Sequence, residues 1–248
     1  MRKVLLVTGG SRGIGAATCT LAARQGWAVA VNYTANSLAA DEVVRSIRHA
    51  GGQAMAVQAD VAIETQVLRM FEQIDAKLGP VHGLVNNAGV VDVTARVEDM
   101  SVERWRRMFD INVIGSFICA REAVRRMSTK HGGPGGSIVN VSSAAARLGA
   151  PGQYVDYAAA KGAIDAFTIG LAKEVGGEGI RVNAVRPGLI ETDIHASGGL
   201  PNRVRDLQHQ VPMGRGGSAQ EVAELIVWLL SDAASYTTMS LIDVSGGR

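Results

Sequence analysis

The sequence predicts an α/β fold in which a doubly wound parallel sheet carries helices on both faces. Three observations predict it. Short runs rich in Val, Ile and Ala alternate with longer stretches whose apolar residues recur at helical spacing. The first run, Val4–Val7, is apolar without interruption, as suits a strand buried on both faces. The segments joining successive runs are long enough to be helical crossovers, which parallel strands need.

After Val4–Val7, residues 13–25 read as a helix and Ala28–Tyr33 as the second strand. Leu38, Val44 and Ile47 have helical spacing across 37–50. A strand over 54–59 precedes a helix through Val67, Met70, Phe71, Ile74 and Leu78, and 83–86 is the fourth strand. One long helix is expected from about 101 to 127. The Gly-rich loop 132–136 leads to a strand at 137–141, a helix over 157–175 and a strand at 180–185. Ser218-Ala219-Gln220-Glu221 has the spacing of a capping box and opens the last helix. Leu241–Val244 closes the sheet. No linker or shift in composition divides the chain, so one domain over 1–248 is the simplest organisation.

Composition narrows the function classes. With 47% apolar and 19% charged residues, the chain has the make-up of a globular protein with a large core. A formal net charge of +2 provides no broad basic field, which argues against nucleic acid as a partner. The densest basic cluster, Arg104, Arg106 and Arg107, is expected to form a solvated helix face. Cys19 and Cys119 sit in apolar helical patterns without a C-x-x-C or zinc spacing, so both read as reduced core residues and no metal is expected. No segment offers the roughly 20 apolar residues of a membrane span. The apolar run after Met1-Arg2-Lys3 is too short for a signal peptide and ends in Thr8-Gly9-Gly10. The expectation is a cytoplasmic protein without a membrane partner.

Two ends of a site can be read from the motifs. Strand one runs into Thr8-Gly9-Gly10-Ser11-Arg12-Gly13-Ile14-Gly15 and then a helix. A dinucleotide pyrophosphate needs backbone N–H groups, little side-chain bulk and a helix N-terminus with its partial positive charge. Gly9, Ser11, Arg12, Gly13, Ile14 and Gly15 stand where those needs arise, and Gly9, Gly13 and Gly15 relieve the bulk. An ordinary tight turn would also use glycine; the position after the first strand of a repeated β-α-β chain favours nucleotide binding. Asp60-Val61 follows the third strand and Asn86-Asn87-Ala88-Gly89 the fourth, at the carboxyl strand ends where open α/β sheets bind ligands. The second strand ends Val31-Asn32-Tyr33-Thr34, without the acid that accepts a ribose 2′-hydroxyl. With Asn32 as a donor and Arg12 as a cation for a 2′-phosphate, NADP(H) is expected over NAD(H), the latter staying possible.

At the other end, Tyr157-Ala158-Ala159-Ala160-Lys161 places a phenol and an ammonium four residues apart on one helix face. A free tyrosine titrates near 10, far from neutrality, until a nearby cation stabilises its phenolate. Lys161 is that cation on this reading, although an exposed helix pair would have the same spacing. Val141-Ser142-Ser143 ends a strand and brings a hydroxyl to the same rim. Asn112, flanked by apolar residues inside the long helix, needs buried partners and could hold a water that links Lys161 to solvent.

Residues 8–15 and 86–89, Asn112, Ser143, the Tyr157–Lys161 pair and Arg186-Pro187-Gly188, all in order, resemble the short-chain dehydrogenase/reductase family in its branch of single-domain enzymes. The resemblance runs from the first strand to Gly246-Gly247. It implies a Rossmann-type fold and an NAD(P)(H)-dependent oxidoreductase that interconverts a small-molecule carbonyl and a secondary alcohol by hydride transfer. By it Tyr157 is the general acid/base, while Lys161 lowers its pKa and binds the nicotinamide ribose. Ser143 orients the carbonyl and Asn112 supports a proton relay. Asp60 contacts adenine, and Thr192, after Pro187 and Gly188, contacts the carboxamide. The spacing from Ser143 to Tyr157 is one residue longer than the family's, which leaves Ser142 a rival. Met239 stands where the family has Gly. The resemblance also implies a homotetramer, and the helix after Tyr157 carries Ala159, Ala163, Ala166, Phe167 and Gly170 for close contact.

Residues 190–217 are the expected substrate lid, with Gly198-Gly199 and Gly216-Gly217 as hinges. Within it His195 either touches substrate or lies on the lid surface. Arg147 and Tyr154 either line the pocket or, for Arg147, pair with Asp156. A dehydratase or epimerase on the same fold would need a second acid/base pair, which is not evident. A nucleotide-sensing protein would have no use for Ser143, Tyr157, Lys161 and Asn112 together.

Overall fold

Val4-Leu5-Leu6-Val7 forms β1 (Val4–Val7), buried along its whole length because strands flank it and helices cover both its faces. The computed structural model describes residues 2–248, leaving aside the side chains of 195 and 196. The first half continues with α1 (Gly13–Arg24), β2 (Ala28–Tyr33), α2 (Ser37–His49), β3 (Gln53–Gln58), α3 (Glu64–Lys77) and β4 (Val81–Asn86). Then come α4 (Val102–Phe109), α5 (Gly115–Met127), β5 (Gly136–Val141), α6 (Ala145–Leu148) and α7 (Val155–Val175). The chain ends with β6 (Ile180–Pro187), β7 (Ile190–Glu191), α8 (Ile194–Ser197), α9 (Arg203–Leu207), β8 (Gly217–Ser218), α10 (Ala219–Leu230) and β9 (Leu241–Val244).

Seven strands form one parallel sheet in the order β3-β2-β1-β4-β5-β6-β9. The order reverses between β1 and β4, so the loops after these strands diverge and leave a crevice at the carboxyl edge. On one face Phe71 of α3, Cys119 of α5 and Ala172 of α7 pack against the sheet. On the other, Cys19 of α1, Val44 of α2 and Ile226 of α10 do so. Each large apolar side chain buried this way contributes about 1.5–3 kcal/mol. Among the described residues no helix is long and apolar enough to cross a membrane. The capping box forms: Ser218 accepts from the Glu221 N–H at 3.2 Å, and Glu221 accepts from the Ser218 N–H at 2.8 Å.

The structure corrects several expectations. The helix expected over 101–127 is α4 and α5 joined by a π-helical turn, Asp110–Ile114, which holds Asn112. Arg104 is not on a solvated face; its guanidinium is buried in a two-bond pair with Asp156, at 2.7 and 3.2 Å. Gly216-Gly217 is a packing point, not a hinge. Gly217 lies in β8 and donates to the Leu189 carbonyl, and a Cβ on Gly216 would stand 2.3 Å from Val204. The pairing of β7 with β8 thus straps the two ends of the segment 190–217 together.

Candidate active site

At the first corner of the crevice, Gly9 and Gly13 adopt φ of +60° and +52°, a region that side chains disfavour. Gly15 is needed for space instead: a Cβ there would stand 2.3 Å from the Gly9 carbonyl oxygen. α1 has no side-chain cap, no acid in its first turn, and its first backbone bond runs from Ala16 to the Arg12 carbonyl. The N–H groups of Gly13, Ile14 and Gly15 are therefore left for a ligand at the positive end of the helix dipole, as a pyrophosphate requires. Thr192 overhangs this cradle, its Cγ2 3.3 Å from where a Cβ on Gly13 would be. Ser11 and the exposed Arg12 stand on its rim.

The loop after β4 is laced to the loop after β1. The Thr8 hydroxyl accepts from the N–H groups of Asn87 and Ala88, each at 3.0 Å. The Asn87 amide donates to the carbonyls of Thr8 and Gly9 at 2.9 and 3.0 Å. Asp60 closes a turn by accepting from the Ala62 N–H at 3.0 Å, and Val61 is buried against Gly115. Pro187 is buried, and Gly188 packs on Ser245, with 2.8 Å between its would-be Cβ and the Ser245 Cα.

Asn32 departs from expectation. It is buried; its carboxamide accepts from the Gly9 N–H at 3.1 Å and donates to the Ala59 carbonyl at 3.0 Å. Its amide is spent on shaping the glycine loop, so it is not a donor for a ribose phosphate. The side-chain donors exposed just beyond β2 are Thr34, Asn36 and Ser37.

The chemical end assembles on β5 and α7. Ser143 stands beside the Tyr157 phenol and acts to lower its pKa, its hydroxyl also accepting from the Ala145 N–H at 3.1 Å, while Ser142 is buried and donates to the Lys161 carbonyl at 3.2 Å. That contrast separates the two serines: Ser143 faces the phenol and Ser142 ties down the helix. Lys161 is buried, its Nζ donating to the Val141 carbonyl at 2.8 Å and lying 5.6 Å from the Tyr157 ring centre. Burial pushes the Tyr157 phenol up to about 12, against the effect of Ser143, which lowers it. Burial likewise pulls Lys161 down to about 8, partly offset by Asp165 one turn along. Tyr154 meets the Tyr157 ring edge-on at 6.1 Å.

Asn112 is held by its own amide, which donates to the carbonyls of Val90 and Met108 at 3.1 and 3.0 Å and accepts from the Val90 N–H at 3.2 Å. A Cβ on Gly89 would fall 2.7 Å from the Asn112 Oδ1 and 3.5 Å from the Lys161 Nζ. Only the glycine keeps the space between those two groups clear. Arg147 lies away from Asp156, pairing instead with Asp243 at 3.1 Å and with the Arg248 carbonyl at 3.1 Å. The side chain of His195 lies outside the described residues.

Comparisons with known proteins bear on the family and the fold. The family described as enoyl-(acyl carrier protein) reductase matches residues 9–248. The chain is 57% identical over 245 residues to the oxidoreductase YgfF of Escherichia coli, covering 99% of both chains. The chain belongs to the short-chain dehydrogenase/reductase family. A 3-oxoacyl-[acyl-carrier-protein] reductase of Synechocystis sp. is 40% identical over 99% of this chain and 96% of its own. A double mutant of a Serratia marcescens short-chain dehydrogenase/reductase superposes with a TM-score of 0.91 at 33% identity, covering 99% of this chain and 97% of that one. This short-chain dehydrogenase/reductase is accordingly an oxidoreductase that interconverts a carbonyl and an alcohol with a nicotinamide cofactor.

Three arrangements around the site escape a reading of the enzyme's sequence. Asn86, Asn140 and Thr168 form a buried chain, Asn86 donating to Asn140 at 2.9 Å and Asn140 to Thr168 at 2.9 Å. It fixes α7 against β4 and β5, and its one signal is an Asn interrupting the apolar run Ile138-Val139-Asn140-Val141. Arg186 pairs with Asp165 at 2.8 Å, one helical turn beyond Lys161. Arg203, in the segment 190–217, lies with its guanidinium carbon 5.0 Å from the Tyr154 ring centre.

Proposed function

We propose that this enzyme is an NADP(H)-preferring carbonyl reductase or alcohol dehydrogenase in which Tyr157 moves the proton. The convergence of Ser143, Tyr157 and Lys161 at the carboxyl end of β5 carries the reading. The cofactor would rest on the N–H groups of Gly13, Ile14 and Gly15, with Gly9, Asn87, Ala88 and Gly89 shaping the rim. Asp60 and Val61 would border the adenine, and Pro187, Gly188 and Thr192 the nicotinamide half. When bound, the nicotinamide supplies or takes the hydride.

In reduction, Tyr157 gives its phenolic proton to the substrate oxygen, which Ser143 orients by a hydrogen bond. The phenol pushed up to about 12 is a poor proton exchanger near neutrality, so Lys161 must turn toward the nicotinamide ribose and Tyr157 for the phenolate to form. The gap kept open by Gly89 would admit the water that returns the proton by way of Asn112 and Lys161. Support for NADP(H) comes from the absence of an acid at the end of β2 and the exposed Arg12, with Thr34 and Ser37 replacing Asn32 as donors to a 2′-phosphate. The same reading takes 1–248 as one catalytic domain, 190–217 as its lid, a homotetramer as its assembly and the cytoplasm as its place. Light scattering and cell fractionation test the last two.

Tyr157→Phe tests the chemistry. It should lower kcat at least about 100-fold, since a general acid supplies that much, while the affinity for NADP+ stays near that of the parent. A variant keeping a tenth of the turnover would remove Tyr157 from the role. The coenzyme reading is tested by kcat/KM with NADPH and NADH, and equal values or an advantage for NADH would overturn it.

A further inference from the structure

Arg203 opens α9 within the lid and leans over Tyr154, which in turn meets Tyr157 edge-on. Its charge reaches the Tyr157 phenol and favours the ionised form there. Its Nη1 is shut off from solvent yet has no hydrogen-bond partner, and among the described residues no carboxylate pairs with it. Four other partly buried arginines are engaged. Arg104, Arg126 and Arg186 hold carboxylates, and Arg181 holds the carbonyls of Leu229 and Ser231. A desolvated guanidinium N–H without an acceptor is costly, and such a group in a folded protein marks a water or ligand position.

Two further observations favour a negatively charged ligand. The Arg248 charge acts on Arg203 with the same sign, while Asp243, the neighbouring acid, is taken by Arg147. Arg248 thus adds to the positive field at Arg203. Val204, the next residue in the lid helix, is wedged against Gly216, which anchors this part of the lid. The pyrophosphate cradle is covered elsewhere, by Thr192 over Gly13.

We propose that Arg203 selects the substrate, taking carbonyl compounds that carry an anionic oxygen group, a carboxylate or a phosphate ester, on the side of the reacting carbonyl facing Tyr154. This rests on the reading that Tyr157 marks the reacting carbonyl. A guanidinium with free parallel N–H groups matches either anion by two charge-assisted bonds, and a neutral ester or amide would leave it desolvated and unmatched.

Calorimetric titration of succinate and of glycerol 3-phosphate into the enzyme–NADP+ complex tests it. At least one of the two should bind the parent about tenfold or more tightly than Arg203→Gln, with Arg203→Lys between them, and the stronger anion identifies the group. In turnover, the preference for 4-oxopentanoate over its methyl ester, or for dihydroxyacetone phosphate over dihydroxyacetone, should fall about tenfold or more in Arg203→Gln, mainly through KM. Equal binding of both anions to parent and variant, or binding to neither, overturns the proposal. So does a loss of NADP+ affinity in Arg203→Gln, which would make the residue a cofactor contact. If Tyr157→Phe still turns over, the catalytic reading fails, and the calorimetric result still decides the role of Arg203.

Discussion

Met239 holds φ at +62°, in the left-handed region, and its N–H donates to the Val182 carbonyl at 2.7 Å. The turn before β9 requires this conformation, and the side chain gains little from it, being exposed. Met239→Gly should therefore stabilise the fold by about 0.5–1 kcal/mol, the strain relieved less the added freedom of the unfolded chain. Thermal denaturation measures it, with Met239→Val as a control that should lose stability. Lys161 gives a pH-dependent case. Its folded pKa of about 8 lies below the ordinary 10.5, so the unfolded chain binds the proton more strongly. Its contribution to stability is lowest and flat below about pH 8 and improves as pH rises toward the unfolded value. Lys161→Met should gain roughly 2 kcal/mol near neutral pH, after allowing for the lost bond to the Val141 carbonyl, and the gain should fade near pH 10. Urea midpoints across that range check both sign and fading. The nearness of the glycine loop, Tyr157 and Lys161 to the carboxyl ends of the strands was legible from their order along a β-α-β chain, although each spacing alone also suits a tight turn or an exposed helix pair. The direction of Asn32 was not: the residues of β2 before it are apolar on both faces, so no alternation reveals which way it points. Arg203 lies in a segment without periodicity, and only the fold of residues 190–217 brings it to Tyr154.

α4 and α7 are joined by the Arg104–Asp156 pair, whose side chains are 9% and 2% exposed. An ion pair buried to this degree is costly to break, because the remaining charge stays desolvated. Asp156→Ala should cost about 3–5 kcal/mol, read from denaturant unfolding, whereas Glu103→Ala, at an exposed pair on α4, should cost less than about 0.5 kcal/mol. In sequence, Arg104 belongs to a run of charges, and its partner stands far along the chain, so its burial could not be read locally. The strands of the large sheet were legible as short apolar-rich runs, uninterrupted in β1 and broken by single polar residues elsewhere. β7 and β8, two residues each, are too short to carry a pattern. The π turn was hidden for another reason. It inserts a residue into an otherwise helical stretch, and the spacing of apolar residues on either side still fits a single helix.

At the scale of the whole molecule, an exposed apolar strip runs along the π turn and α5 and onto α7. Phe117 stacks on Phe167 with ring centres 3.7 Å apart and is 44% exposed, and Ile114 is 47% exposed. Gly170 has open space where a Cβ would be. The proposed tetramer would cover this strip, so light scattering should give four times the chain mass. Phe117→Asp should shift the particle to a smaller species while the circular dichroism of the fold is retained. The position of β1 has a consequence for how such a chain is made. Its two partners, β2 and β4, both lie before residue 87, whereas β6 pairs outward with β9, the last strand. A chain leaving the ribosome can close the strands β3-β2-β1-β4 around the glycine loop while the residues of α7 are still untranslated. The topology thus lets the glycine loop take its shape at the synthesis of β4, before the helix that carries Tyr157 exists.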